Sequence, residues 1–176
     1  PADTSCSAAG GNSEACNGEM DPITAITMGT TTGTLIGAHD DHNATCDDES
    51  PGSGTDILYT LDLPPMRSVQ IDTEGSMADT VLSLLAATCT EPSLGCDDES
   101  GTSSGASRLV FNNLAGGSYI VAVDGYSSDT TTFPTGTYNL RVTGTIAPGG
   151  SCEPALTLGG ALMCPVMNPC EGTAGA

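Results

Sequence analysis

The sequence predicts an all-β protein, an antiparallel β-sandwich of about eight strands flanked by mostly irregular tails that disulfides staple down. Three observations predict it. Glycine (23) and proline (11) interrupt the 176 residues too often for long helices and suit short strands joined by turns. Period-two hydrophobic alternation recurs at short intervals between Ile23 and Thr145. The eight cysteines lack paired C-x-x-C knuckles of zinc-site spacing and read as disulfides of an oxidising compartment.

Taken in order, the strands begin with ITAITM from Ile23 and TGTLIGA from Thr32, rich in Thr and Ile and punctuated by Gly29, Gly33 and Gly37. A polar loop, AHDDHNATCDDESPGSG, runs from Ala38 to Gly54. In DILYTLDL, Ile57, Tyr59, Leu61 and Leu63 share one face while Asp56, Thr60 and Asp62 share the other, the pattern of a half-buried strand. Pro64 and Pro65 end it, and MRSVQIDT follows with Val69 and Ile71 inward, so the two read as a hairpin. Ser76 to Asp79 make a tight turn in which Asp79 is expected to accept backbone amides. TVLSLLAA, Thr80 to Ala87, is apolar on both faces, as a central strand should be. SRLVFNN, SYIVAVDGY and GTYNLRVTGT complete the set, the last with Tyr138, Leu140 and Val142 on the buried side. This places one sandwich domain at 20–147, between an N-terminal cysteine-bearing arm (1–19) and a C-terminal cysteine-bearing tail (148–176).

Charge narrows the partners. With three arginines, no lysine and a formal net charge of -19, the chain is a poor match for nucleic acid or anionic membrane surfaces. No apolar run reaches the roughly 20 residues of a membrane helix. A start at Pro1 without an initiator Met is read as a processed, exported product, so the expected location is extracellular, secreted or at the cell surface.

The pentapeptide CDDES occurs twice, at 46–50 and 96–100, but the strands after the two copies do not match, so these are two similar acidic loops. Asp47, Asp48 and Glu49, with Asp97, Asp98 and Glu99, are candidate calcium ligands, hard oxygen donors on loops, weighed against plain solvated acidic loops. Cys89 and Cys96 are expected to close a small loop, stabilising by roughly 2 to 3 kcal/mol. Cys164 and Cys170, separated by PVMNP, suit local closure.

In order along the chain stand D-x-L-Y-x-L (Asp56 to Leu61), V-x-I-x-T (Val69 to Thr73) and S-x-x-D-T-x-L (Ser76 to Leu82). The Cys89 and Cys96 loop with Asp97 and Asp98 comes next, then L-x-x-G-x-Y-x-V-x-V-x-G (Leu114 to Gly125) and G-x-Y-x-L-x-V (Gly136 to Val142). Together, over about residues 20–145, they resemble the bacterial pre-peptidase C-terminal (PPC) domain, a jelly-roll-like sandwich found beside the catalytic parts of secreted peptidases and in cell-surface proteins. The resemblance implies a non-catalytic module, calcium near the sandwich edge in some relatives, and a bridge from Cys16 to Cys46. Cys6 and Cys152 are then left to join the two tails or to reach another subunit.

The remaining motifs read as structural. His39 to His42 (HDDH) suits a solvent-facing turn better than a transition-metal site. Gly101 to Gly105 formally matches G-x-S-x-G but sits in a Ser/Gly loop, without the strand and helix a nucleophile elbow needs. Two Phe, four Tyr and no Trp leave little to stack on sugars. Asn43-Ala44-Thr45 is a glycosylation acceptor sequence, and Thr30 to Thr32 and Thr130 to Thr132 could accept O-linked sugar. The expectation is a non-enzymatic structural subunit of an extracellular assembly, a fibre or surface layer, whose main partners are copies of itself. ALTLGGALM is expected to serve as a donor strand for a sheet edge. The alternative is a module of a larger secreted enzyme that binds extracellular polysaccharide or protein.

Overall fold

A computed structural model describes residues 23–40, 42, 44, 46, 54–87, 92–126, 136–148 and 162–163. Ten strands are described: β1 (Thr24–Ile26), β2 (Gly29–Thr34), β3 (Asp56–Leu63), β4 (Met66–Asp72), β5 (Thr80–Ala86), β6 (Gly95–Asp98), β7 (Arg108–Leu114), β8 (Gly117–Gly125), β9 (Thr137–Ile146) and β10 (Leu162–Met163). The eight expected strands are present. The two additions are β6, which takes up the start of the second CDDES loop, and β10.

The strands form two sheets. Sheet I has the order β1-β3-β8-β5-β6 and sheet II the order β10-β9-β4-β7, with β2 also pairing with β9. All pairs are antiparallel except β1 with β3 and β10 with β9. On its outer edge β9 takes β2 along Thr137 to Val142 and then β10 at Gly144 and Thr145.

The expected hairpin of β3 and β4 does not form, because β3 pairs with β1 and β8 while β4 pairs with β7 and β9. Pro64 and Pro65 explain the difference. Tight hairpin turns favour residues at positive φ, whereas proline is fixed near -65°, so the chain arches from sheet I to sheet II instead.

The core lies between the sheets. Tyr59, Leu61 and Leu63 of β3, Leu82 and Leu84 of β5, and Val121 and Val123 of β8 face Val69 and Ile71 of β4 and Tyr138, Leu140 and Val142 of β9. Their alternation is the one the sequence carries. Tyr59 and Tyr138 meet across the gap through their hydroxyls at 2.6 Å. Burial, and then this hydrogen bond, raise the Tyr138 pKa. Tyr138 lies over Gly33 of β2, where a Cβ would run into its hydroxyl and ring, so glycine leaves the ring its space.

β5 is buried on both faces along Thr80 to Leu85, as its composition predicts. A second apolar cluster, Leu58, Leu85, Ile120 and Ala122 with half-buried Ile23, lies on the outer face of sheet I.

Candidate functional site

Register gathers the carboxylates at one end of the sandwich. Asp56 of β3 stands opposite Asp124 of β8, and Val81 of β5 stands between Asp124 and Asp98 of β6, so one row across sheet I carries three aspartates. Asp72, at the end of β4, and Glu74, Asp79 and Glu99, in the following turns, lie at the same end. Of the carboxylates on described strands only Asp62 lies at the opposite end. Asp56 is 1% and Asp124 7% exposed. Sequence alternation placed Asp56 on the solvent face, and it is buried because the β2–β3 connection covers that face.

The covering segment has a clear path. The His42 amide donates to Asp56 Oδ2 at 2.7 Å beside β3, and Cys46 is disulfide-bonded to Cys96 on β6. β3 and β6 are three strand spacings apart, about 14 Å, and four extended residues span about as much. His42 is thus fixed at β3 and Cys46 at β6, and His42 and Ala44 are both buried. The solvent-facing turn expected for HDDH describes His39, which is exposed, and not His42.

The Cys46–Cys96 bridge corrects two pairings. Cys96 is not bonded to Cys89, and Cys46 is not bonded to Cys16, the partner implied by the family resemblance. The cause is the strand β6. Cys96 is paired in register with Ser83, whose hydroxyl donates to its sulfur at 3.4 Å, so the thiol side chain lies on the outer face where the crossing segment arrives. The bridge joins the first residues of the two CDDES copies. Asp47, Asp48, Glu49, Cys6, Cys16, Cys89, Cys152, Cys164 and Cys170 lie outside the described residues.

Around the pole, side chains that suggest chemistry hold loops in place. Glu74 accepts the Thr102 amide at 2.5 Å, the Ser103 amide at 3.1 Å and the Ser103 hydroxyl at 2.8 Å, and pairs with Arg108 at 3.6 Å. These bonds, the Thr102 amide foremost, lower its pKa to about 2. The G-x-S-x-G match is thus a loop whose central serine is tied to Glu74. Asp72, fully buried, accepts two hydrogen bonds from Arg141 Nε at 3.1 and 3.2 Å and one from Nη2 at 3.1 Å. Asp97 Oδ2 accepts the amides of Ser100 at 3.1 Å and Arg108 at 2.7 Å, which shapes the turn between β6 and β7.

The turn before β5 is fixed mainly by hydroxyls. Ser76 Oγ donates to Thr73 O at 2.6 Å and accepts the Asn139 amide at 3.0 Å, and the Thr73 and Thr80 hydroxyls meet at 2.6 Å. Asp79 contributes less than expected. Its Oδ1 is buried without a hydrogen bond among the described residues, and burial, with the nearby Glu99 charge second, raises its pKa against a smaller pull from the Thr80 amide.

Among the described residues no group of three His, Cys, Asp or Glu side chains is arranged to hold a metal ion. Glu74 and Asp124 were not singled out in the sequence. Nothing local marks them, since both gain their role from strands distant in sequence.

No protein-family model and no curated protein matches the chain. Among solved structures it is similar to the pre-peptidase C-terminal domain of a collagenase from Bacillus anthracis, at 19% identity and a TM-score of 0.46, over 68% of this chain and 93% of that one. It is also similar to PliG, a periplasmic inhibitor of g-type lysozyme from Aeromonas hydrophila, at 13% identity and a TM-score of 0.41, over 68% of this chain and 96% of that one. The first is the type of domain that the ordered strand motifs resemble.

Proposed function

We propose that this chain is a non-enzymatic structural subunit of an extracellular assembly, a fibre or surface layer, in which the segments 1–19 and 148–176 contact neighbouring copies. The observation that carries this is β10. Leu162–Met163 of the C-terminal segment pairs with β9 of its own chain beyond the end of β2, and the same strand addition is open to the corresponding segment of a neighbouring copy. The Cys46–Cys96 bridge supports an oxidising, extracellular location. Among the described residues no helix is long and apolar enough to cross a membrane. The use of Ser103 and Glu74 as loop fasteners supports a scaffold over a hydrolase. Electron microscopy of non-reduced protein at high concentration tests the function, and uniformly monomeric particles contradict it.

Calcium at the acidic pole is a companion proposal. It is supported by the bridge between the two CDDES copies and by the raised pKa of Asp79 beside Glu99, a repulsion that a divalent cation relieves. Calorimetry with added calcium tests it, and the absence of both binding heat and a stability change sinks it. The alternative function, a polysaccharide- or protein-binding module of a secreted enzyme, predicts retention on insoluble polysaccharide or collagen.

A further inference from the structure

We infer that copies of this chain join side by side through sheet II, the edge of β7 in one copy pairing antiparallel with the edge of β2 in the next. This rests on the subunit function proposed above and assigns it a surface other than the tails. Among the described residues β2 pairs with β9 alone and β7 with β4 alone, so the two form opposite margins of one sheet. The order β2-β9-β4-β7 is antiparallel throughout. A second copy translated across the sheet, and offset by about four residues along the strands so that its β2 lies level with β7, sets that β2 antiparallel to β7 and continues the alternation. Lengths agree as well. β2 offers Gly29–Thr34 and β7 offers Arg108 to Asn112, up to Asn113 at φ 57, and the four-residue offset keeps Gly33 with Leu109 on the inner face and Thr32 with Val110 on the outer.

Charge selects these margins. The net charge of -19 opposes contact over most of the chain, yet GTTTGT and RLVFNNL contain no carboxylate. Apart from Arg108, whose guanidinium is turned to Glu74 and the Ser100 carbonyl, they carry neither the charged side chains nor the proline with which exposed edges are usually blunted. Exposed large apolar side chains mark both sides: Val110 lies in β7 and is 58% exposed, and Ile36, 65% exposed, follows the end of β2. Translation by four strand spacings, with the four-residue offset along the strands, sets the acidic poles of neighbours about 23 Å apart. That exceeds the Debye length of about 8 Å at physiological salt but not the roughly 30 Å at 0.01 M. A contact of opposite margins is heterologous and does not close, so it yields a filament.

The test is sedimentation velocity of the non-reduced full chain, with hydrogen exchange, on wild type and on Thr32→Asp and Asn112→Asp. Both sites are exposed, so the monomer fold is retained, and equal melting temperatures verify this. The expected results are wild-type assembly at 0.15 M salt that dissociates at 0.01 M, and association at least about tenfold weaker in each variant. Amides of Gly29–Thr34 and Arg108–Leu114 gain protection on wild-type assembly. If wild type assembles, the variants assemble equally well and protection appears only in other segments, the edge pairing is wrong while the subunit function stands. Should wild type remain monomeric under all conditions, both fall.

Discussion

Cys46 and Cys96, joined with their Cα atoms 5.7 Å apart, are the first residues of the two CDDES copies, so the repeat is fastened to itself across the outer face of sheet I. The bridge spans a sequence separation of 50 and restricts the unfolded chain accordingly. Replacing both cysteines by serine is expected to cost about 4 kcal/mol in urea unfolding. Non-reducing peptide mapping should recover Cys46 linked to Cys96. A peptide linking Cys89 to Cys96 would refute the arrangement.

Gly33 holds space for Tyr138. In Gly33→Ala the new methyl meets the tyrosine hydroxyl, so the ring must move and its hydrogen bond to Tyr59 lengthen or break. The expected loss is about 1 to 3 kcal/mol. Tyr138→Phe should cost about 1 to 3 kcal/mol by leaving the Tyr59 hydroxyl without this partner. Denaturant midpoints measure both.

Glu74 gives the fold an acid-sensitive clamp. Its pKa falls from 4.5 to about 2 on folding, so the stability it contributes is complete above pH 4.5 and is lost as pH falls through about 2. In Glu74→Gln the melting temperature should decline less between pH 4.5 and 2 than in wild type. Parallel curves would show that Glu74 does not hold the 101–105 loop.

Asp79 acts in the opposite sense. Its pKa is raised above 3.8 in the fold, so its contribution is fully favourable below pH 3.8 and is lost as pH rises through the folded value. Asp79→Asn should therefore be more stable than wild type at neutral pH, with the difference shrinking on acidification. Glu99→Gln should lower the Asp79 pKa in an NMR titration, because the Glu99 charge is the second cause of the shift after burial.

Strand patterning was legible wherever one face of a strand meets the core. Ile57 to Leu63 and Tyr138 to Val142 alternate in the sequence as they do in the sandwich. Legibility ended where a long-range partner decides the outcome. Asp56 reads as solvent-facing until His42 is laid over it, and Cys96 reads as the mate of nearby Cys89 until β6 turns its sulfur to the face that Cys46 reaches. The double proline at 64–65 did carry its message, since it disfavours a tight hairpin, but strand alternation alone says nothing about which sheet the next strand joins. Glu74 is an ordinary turn residue in the sequence, and its clamp depends on Thr102 and Ser103 folding back across the pole.

Whether this sandwich meets copies of itself is read from sedimentation velocity of the non-reduced chain across a wide concentration range at 0.15 M salt and at lower salt. A subunit of an assembly gives species larger than the monomer that grow with concentration and shrink when salt is lowered. A single monomeric boundary at every concentration and salt would contradict it.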